Sequence, residues 1–533
     1  MPSFNVASSA APGVRVQWFD TNAQQLDPGR TDVAGFIGVA ERGPLHSARK
    51  VESQRQFATL FGGPIAHGYL AYAVNGFFAN GGQTCWVVRV ADPAQAAPGG
   101  LTLVLPDGST LRLEASSAGA WGNEVEIVPV WSGGSVAQLV ARQDGRPEQR
   151  IRLGGAVIAA QPDATSPPSG QDEPSQHEEL LVQAVAVGGS PAPAVRLVPG
   201  LRSVRLSDGQ DGLATLLTRH LTGDGEGRCC WGMDALSRVD GVSLVAVPDL
   251  LFEPPAGTQA SARPSFNAAD IRSAQRELLS ACMRRRDRIV LLDLPRGDRG
   301  RALEHVGAPQ DGDGATGFGA AYHPWIVVDE PLGPRGMVRT MPPSGHVAGM
   351  FARTDRLRGV HKPPANEVLE GVWALAEDID DPGHAALNEA GINALRSLPG
   401  RGIRVMGART LSADPRWRYV NVRRLFAMIE ESLQEQLQWV VFEPNGQRLW
   451  REVDRAVRGL LQRLHHAGML DGASPEEAFF VRCDEASQGG AAGSERLVCE
   501  VGLQPPWPAE FIEVRIGVVR NGIRIEAQET RNG

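Results

Sequence analysis

The sequence predicts a multidomain chain of mixed α/β (α+β) class, and three observations support this fold class. The chain has 533 residues, which exceeds one ordinary hydrophobic core and favours roughly two to four domains. Continuous apolar runs in its middle are separated by helical patterns, as in parallel sheets covered on both faces. Short alternating segments elsewhere are typical of half-buried strands. These differences in sequence pattern along the chain predict four domains, at 1–95, 96–205, 206–400 and 401–533.

The first segment starts extended and then combines strands with a helix. Apolar side chains at Val14, Val16 and Trp18 occupy every second position, a period that predicts a strand. The glycine pair at 81–82 suits the end of a helix. The other elements expected here are a strand at 33–40, a helix at 69–82 and a strand at 85–90.

The segment 96–205 differs from its surroundings in the pattern of its apolar and turn-forming residues. Short alternating strands, such as those at 101–105 and 111–115, are separated by Gly, Pro and Ser. Residues 161–179 are polar and proline-rich, which predicts a surface loop. We therefore expect an inserted β-rich domain.

The segment 206–400 has the pattern of a parallel sheet. Residues 242–250 and 288–295 are continuous apolar runs, as expected of strands covered on both faces. Residues 271–287 between them have helical spacing. A strand–helix–strand unit of this kind predicts a parallel pair of strands.

The last segment, 401–533, has the clearest helices and ends in strands. Residues 422–441 and 449–470 each carry one apolar stripe at helical period. Near the end, Ile512, Val514, Ile516 and Val518 alternate with other residues, and Asn521-Gly522 is a strong hairpin signal.

Composition excludes several classes of function. A net charge of −8 gives the chain no overall attraction to nucleic acid or to an anionic membrane. Its six cysteines form no C-x-x-C pair, so we expect reduced thiols, no cofactor and no metal site. The N-terminus lacks the regions of a signal peptide, and no apolar run approaches the ~20 residues that span a bilayer. We expect synthesis in the cytoplasm and no direct membrane insertion.

The stretch Ser344-Gly345-His346-Val347-Ala348-Gly349 is similar to the surroundings of the catalytic histidine in subtilisin-type proteases. His346 could serve as the base, and Asp293, which precedes it after an apolar strand, as the orienting carboxylate. The nucleophile is missing, because no serine after His346 lies in the turn that this family uses or in a G-x-S-x-G motif. A subtilisin-like serine hydrolase using His346 is thus a disfavoured alternative, and a packed loop is the expected structure.

Other chemical motifs are incomplete. The glycine-rich stretch 223–227 lacks the Gly-Lys-Ser/Thr of a phosphate-binding loop, and 311–317 lacks two ligands of a calcium loop. Adjacent His465 and His466 face different directions on a helix and chelate poorly. The basic stretch 352–362 contains no aromatic residue, which favours a solvated or subunit-facing loop over nucleic-acid binding. No catalytic, cofactor-binding or metal-ligating residue is predicted.

A series of motifs in a fixed order points instead to a known family. They include APGVRVQWFD (11–20) and VAGFIGVAERGPL (33–45), LSDGQDGLATL (206–216), and above all PPSGHVAGMFARTDRLRGVHKPPANEVLEGV (342–372). YVNVRRLFAMIEESL (419–433) follows. Together they resemble the tail sheath proteins of contractile phages and phage-like contractile injection systems, over most of residues 10–95 and 206–520.

The resemblance implies a mechanical role. It implies a subtilisin-like middle domain without protease function, in a homo-oligomer of stacked helical rings around an inner tube protein. Such a sheath contracts from a metastable extended state and drives the tube through a target envelope. Baseplate and terminal cap proteins are implied as partners, and co-assembly of paralogous sheath subunits stays open. The particle is a virion tail or a phage-like injection particle, cytoplasmic or released by lysis.

The resemblance also implies two kinds of contact residue. Terminal arms in this family add strands to neighbouring subunits, which assigns that role to Val14, Val16, Trp18, Ile512, Val514, Ile516 and Val518. Pairing within one subunit is the alternative, and the Asn-Gly hairpin favours it at the C-terminus. A helix near 449–470 contacts the tube by charge in related sheaths, which points to Arg451, Arg455, Arg458 and Arg463, although a plain solvated face explains them equally well. The segment 96–205 is expected to face outward, because an insertion beside the tube would clash.

Overall fold

The fold is taken from a computed structural model of the chain. It describes residues 26–132, 135–153, 180–185, 194–224, 230–254, 263–307, 314–485, 487, 496–510, 513–519 and 522–528. The predicted strand at Val14–Trp18 and the predicted loop at 161–179 lie outside the described residues, as does Ile512.

The described residues form eleven α-helices, several of which begin at a side-chain cap. Asn267, for example, accepts hydrogen bonds from the backbone N–H groups of Ala269 and Asp270 at the start of α5, which satisfies two otherwise unpaired donors. The helices are α1 (Gln54–Phe61), α2 (Leu70–Ala79), α3 (Thr218–Thr222), α4 (Gly232–Leu236), α5 (Ala268–Arg285), α6 (Arg299–Val306), α7 (Ser344–Arg358), α8 (Asp381–Glu389), α9 (Val420–Gln436), α10 (Gln447–His466) and α11 (Pro475–Ala478).

The strands of the described residues fall into six sheets. They are β1 (Ala34–Gly38), β2 (Ala48–Val51), β3 (Cys85–Arg89), β4 (Gly100–Val104), β5 (Thr110–Ala115), β6 (Glu126–Ser132), β7 (Ser135–Arg142), β8 (Gln149–Arg152), β9 (Val182–Val185), β10 (Ala194–Arg196), β11 (Val204–Arg205), β12 (Leu244–Ala246), β13 (Ile289–Asp293), β14 (Gly319–His323), β15 (Ile326–Asp329), β16 (Val338–Met341), β17 (Glu367–Val368), β18 (Ala374–Leu375), β19 (Ile392–Leu398), β20 (Gly402–Met406), β21 (Phe479–Arg482), β22 (Glu500–Leu503), β23 (Glu513–Val519) and β24 (Gly522–Gln528).

A nine-stranded sheet is the centre of the molecule, in the order β17-β20-β19-β14-β13-β12-β1-β3-β2. Its six inner strands from β19 to β3 run parallel, and antiparallel strands close both edges. The predicted strand–helix–strand unit is confirmed as β12, α5 and β13, with β12 parallel to β13. Every residue of β1, β12, β13 and β14 is buried, which explains their continuous apolar sequences.

The mixed α/β class is confirmed, whereas the four domain boundaries stay predictions. The large sheet takes β1–β3 from the first predicted segment, and β20 lies just beyond residue 400 yet pairs with β19. The helices predicted at 69–82, 271–287, 422–441 and 449–470 are present as α2, α5, α9 and α10.

The strands between residues 100 and 205 form two further four-stranded sheets, β10-β4-β5-β9 and β11-β6-β7-β8. They share a hydrophobic core of their own, built around Leu103, Leu113, Trp121 and Leu139. A separate core of this kind lets the segment be added to the large sheet without repacking it.

A third core lies under the two long C-terminal helices. It joins the apolar faces of α9 and α10 to the two-stranded sheet β21–β22, with Leu460 and Leu461 fully buried. Leu26 and Val360, far away in sequence, are also part of it. No helix among the described residues is long and apolar enough to cross a membrane.

Candidate functional site

The similarity to a protease histidine segment falls on the start of α7. Asp293, at the end of β13, accepts hydrogen bonds from the Ser344 backbone N–H at 2.9 Å and from its hydroxyl at 2.6 Å. Complete burial raises the pKa of Asp293 to about 7, and the two bonds from Ser344 oppose that rise. The carboxyl group of Asp293 thus anchors the first turn of α7 to the central sheet.

His346 is buried without a catalytic partner among the described residues. Burial lowers its pKa to about 4, so the ring is neutral at pH 7. Its Nδ1 atom has no hydrogen-bond partner among the described residues, and the bonds of Asp293 go to Ser344 instead. The prediction of a packed loop at 344–349 is wrong in one respect, because the segment is helical, although it is fully packed.

Two glycines of α7 let this helix pack closely against α2. A Cβ atom at Gly345 would lie 2.4 Å from the Cα of Ala73, and one at Gly349 would lie 2.3 Å from the carbonyl oxygen of Phe77. Both neighbours belong to α2. On the facing side, a Cβ at Gly76 would lie 2.3 Å from the ring of His346. Glycine lowers helix propensity, but here it permits a close crossing of α2 and α7.

We expect Gly349→Ala to destabilise the protein by about 1–3 kcal/mol, because the new methyl group meets backbone atoms that cannot move aside. The gain in helix propensity of about 1 kcal/mol offsets only part of this cost. Chemical denaturation followed by tryptophan fluorescence measures the change. Gly63→Ala is the matched control, since a Cβ there has no atom within 4 Å. Equal stability of the two variants would contradict the packing argument.

A buried ion pair joins α7 to α9. The guanidinium of Arg424 donates to both carboxylate oxygens of Asp355, at 2.9 and 2.5 Å, and also to the backbone carbonyl of Thr31. The two side chains are 3% and 2% exposed. Burial raises the pKa of Asp355, and Arg424 opposes that rise. Asp355 belongs to the basic stretch 352–362, so this stretch is mostly a helix that binds α9.

Helix α10 has a buried apolar face and an opposite basic face. Arg451 and Arg455 are exposed one turn apart, and no other described residue forms an ion pair or hydrogen bond with either side chain. Arg458 is bonded to Asp454 at 3.1 Å and to the carbonyl oxygen of Val481. Arg463 lies 3.8 Å from the carboxylate of Asp27. Of the four predicted arginines, two are therefore free to meet a partner.

The C-terminal strands form a hairpin. Strands β23 and β24 are antiparallel, and Val519 pairs with Gly522, as the Asn-Gly signal predicts. Val514, Ile516 and Val518 lie in β23 opposite positions of β24. The two strands pair only with each other among the described residues, so the outer edge of each is left unpaired there.

Long-range polar contacts hold Asp27 and Glu510, two residues that lie close to the terminal segments in sequence. The amide of Gln436 exchanges hydrogen bonds with the backbone of Asp27, at 2.6 and 2.5 Å. At the other end, Arg409 binds both carboxylate oxygens of Glu510, at 2.9 and 2.5 Å. Sequence reasoning missed these anchors, because partners so far apart leave no local pattern.

Comparison with known families decides the identity of the fold. Residues 264–411 match the model of the phage tail sheath protein central domain, and residues 412–518 match that of the phage tail sheath C-terminal domain. Residues 264–518 thus belong to the tail sheath family. Together the two matches include α7, α9 and α10, the buried Asp355–Arg424 pair and both Arg409 and Glu510.

Curated sheath proteins show the same relationship over parts of the chain. The tail sheath protein of Salmonella phage ViI is 24% identical over 289 residues, 51% of this chain and 43% of that protein. The tail sheath protein of Burkholderia phage BcepMu is 32% identical over 177 residues, 32% of this chain and 36% of that protein. Each match therefore spans less than half of the relative.

Solved sheath structures share the fold over nearly the whole chain. The sheath complex of an extracellular contractile injection system in its contracted state is 20% identical, with a TM-score of 0.56, covering 97% of this chain and 99% of that chain. A sheath tail protein from Listeria innocua is 11% identical with a TM-score of 0.56, covering 87% and 91%. The inserted sheets and the large sheet thus belong to a sheath fold.

Proposed function

We propose that this sheath protein is a structural subunit that polymerises as stacked helical rings around an inner tube and contracts from a metastable extended state. The observation that carries the proposal is the pair of tail sheath domain matches, which adjoin at residues 411 and 412. No nucleotide or catalytic centre drives the stroke. The energy for contraction comes from the assembly itself. Its subunits have an extended and a contracted arrangement, and the contracted arrangement has the lower free energy.

The terminal segments are proposed as arms that link neighbouring subunits. Val14, Val16 and Trp18 form the first arm, and Ile512, Val514, Ile516 and Val518 the second. The unpaired outer edges of the C-terminal hairpin support this, because an edge strand gains hydrogen bonds by joining another sheet. The two-stranded sheet β21–β22 also has open edges among the described residues, and it is an acceptor of suitable size.

The basic face of α10 is proposed to contact the inner tube. Arg451 and Arg455 carry the interaction, because they are exposed and unpaired in the part of the chain that the structure describes. Arg458 and Arg463 add to the positive electrostatic potential of this face, although Arg458 is paired with Asp454 and Arg463 lies 3.8 Å from Asp27. The tube surface that fits this helix is acidic, and the contact weakens with salt, since exposed charges are screened over about 8 Å at physiological ionic strength.

We expect Arg451→Glu with Arg455→Glu to reduce tube binding at least tenfold, because two attractive contacts become repulsive. Co-sedimentation of tube with sheath at low and high salt measures the loss. Arg272→Glu with Arg276→Glu is a matched control, an exposed arginine pair one turn apart on α5. Equal loss in both double variants would show that only net charge matters.

The other proposed partners follow from the sheath role. They are a baseplate, a terminal cap protein and, where several sheath genes coexist, paralogous subunits; nucleic acid is not among them. The contracted sheath complex of an extracellular contractile injection system, whose fold this chain shares, supports assembly of this kind. The inserted sheets between residues 100 and 205 are proposed to face outward, away from the tube.

Negative-stain electron microscopy of the protein expressed alone tests the proposal. Hollow, ridged tubes of contracted type are the expected result, since the contracted lattice is the stable one. If only small particles form, addition of inner tube and baseplate must nucleate tubes. Small particles even with those components, or labelling by a fluorophosphonate probe that is lost in His346→Ala, would overturn the sheath function in favour of a hydrolase.

A further inference from the structure

Cys483 and Cys499 oppose each other at the end of the β21–β22 sheet. The antiparallel register of the two strands, extended by one position, pairs them directly. The Gln504 N–H donates to the carbonyl of Ala478 at 2.9 Å, which marks a hydrogen-bonded pair, and the two kinds of pair alternate along the ladder. Cys483 is an odd number of positions from Ala478, so the cysteines form a non-hydrogen-bonded pair.

The spacing and contact of the two thiols suit a disulfide. Cα atoms of a non-hydrogen-bonded pair are about 4.5 Å apart, within the 4.4–6.8 Å range that disulfides span, although at its lower end. Each thiol is close enough to the other to change its pKa. Cys483 is buried and Cys499 is half-buried, and both are free thiols.

We propose that Cys483 and Cys499 are an intramolecular disulfide site, reduced during synthesis and oxidised once the protein meets an oxidising medium. The other described cysteines do not compete for this reaction. Cys85 and Cys282 are completely buried in the large core, and Cys230 is exposed and is not paired with any of them in a strand register. The opposed pair is thus a feature of the β21–β22 sheet alone.

The reaction needs an external disulfide, such as oxidised glutathione, as its oxidant. The half-exposed Cys499 loses its proton to water, and its sulfur attacks the oxidant, which releases one reduced thiolate. Cys483 then loses its proton and attacks the mixed disulfide, which forms the protein disulfide and releases a second thiolate. The two cysteines lose two electrons, and the oxidant gains them. Burial raises the pKa of both thiols, so oxidation is slow at neutral pH and faster at higher pH.

The disulfide would fasten the strands on which α10 rests. Strand β21 accepts a hydrogen bond from Arg458 of α10 through the carbonyl of Val481, at 3.0 Å. Closing the chain between Cys483 and Cys499 removes freedom from the unfolded state and prevents β21 and β22 from separating. This site forms or fails to form whether or not the chain polymerises, so it can be tested independently of the sheath function.

Peptide mapping of the full-length protein tests the proposal. The protein is incubated with oxidised glutathione at pH 7 and pH 9, alkylated, unfolded and digested with trypsin. Cleavage after Arg482, Arg496 and Arg515 puts the two cysteines on separate peptides, 483–496 and 497–515. We expect these peptides to appear as one linked species that reductant separates, and to form faster at pH 9.

Three variants make the outcome decisive. Cys483→Ser and Cys499→Ser must each abolish the linked species, whereas Cys230→Ser must leave it unchanged. Hydrogen exchange in β21 and β22 must slow upon oxidation of the wild-type protein and of Cys230→Ser, but not of Cys483→Ser or Cys499→Ser. Alkylated Cys483 and Cys499 after prolonged oxidation, or crosslinks that involve only Cys230, would overturn the proposal.

Discussion

Replacing Asp355 with alanine should destabilise the protein by about 3–5 kcal/mol, because the guanidinium of Arg424 is then left buried without its counterion. Arg424 is 3% exposed in its side chain, so water cannot replace the lost carboxylate. We expect the decrease in the free energy of unfolding to appear in the transition that includes α7 and α9. Urea denaturation, combined with hydrogen exchange of α9, measures it.

Two further variants separate the ion pair from simple loss of packing. Glu452→Ala breaks the exposed pair with Arg448 on α10 and should cost less than about 1 kcal/mol. The double variant Asp355→Leu with Arg424→Met should recover much of the loss, since apolar side chains need no counterion. A loss below about 1 kcal/mol in Asp355→Ala would show that the pair is hydrated.

Deleting residues 511–533 should abolish tube formation while leaving the body of the subunit folded. Glu510, just before the deleted segment, forms an ion pair with Arg409 of the body, and β23 and β24 pair only with each other among the described strands. The deletion therefore removes the proposed link between subunits without opening a core. Electron microscopy scores tubes, and circular dichroism with a thermal scan scores folding.

Deleting the polar segment 161–179 is the control for chain length, and tubes should persist. Arg409→Ala is an intermediate case, because it keeps the arm but releases its anchor at Glu510. We expect shorter or irregular tubes from it. Regular tubes formed by the protein that lacks 511–533 would contradict the role of the C-terminal arm.

Local patterns predicted much of this fold and little of its assembly chemistry. The continuous apolar runs around Leu244 and Ile289 identified parallel strands, and the apolar stripe of α10 identified its buried face. The start of α7 is predicted as a packed loop but is helical, and glycine at positions 345 and 349 lowers its local helix propensity. Packing against α2 outweighs that preference, and no local pattern reveals such packing.

The side chains that bind Asp27 and Glu510 could not be predicted from the sequence either. Gln436 and Arg409 are ordinary polar residues in their local context, and their partners Asp27 and Glu510 lie 409 and 101 positions away. The sequence does not distinguish the two unpaired arginines of α10 from the two paired ones. The structure does, because it places Asp454 beside Arg458 and Asp27 beside Arg463.

The two anchors lie at opposite ends of α9. Gln436, which holds Asp27, is the last residue of this helix, whereas Arg409, which holds Glu510, bridges to Tyr419 just before its first residue. A helix of 17 residues is about 25 Å long. If the terminal segments connect subunits, the tension of a contracting lattice enters each subunit at one end of α9 and leaves at the other. The buried ion pair that joins α9 to α7 then holds this helix in place under that tension.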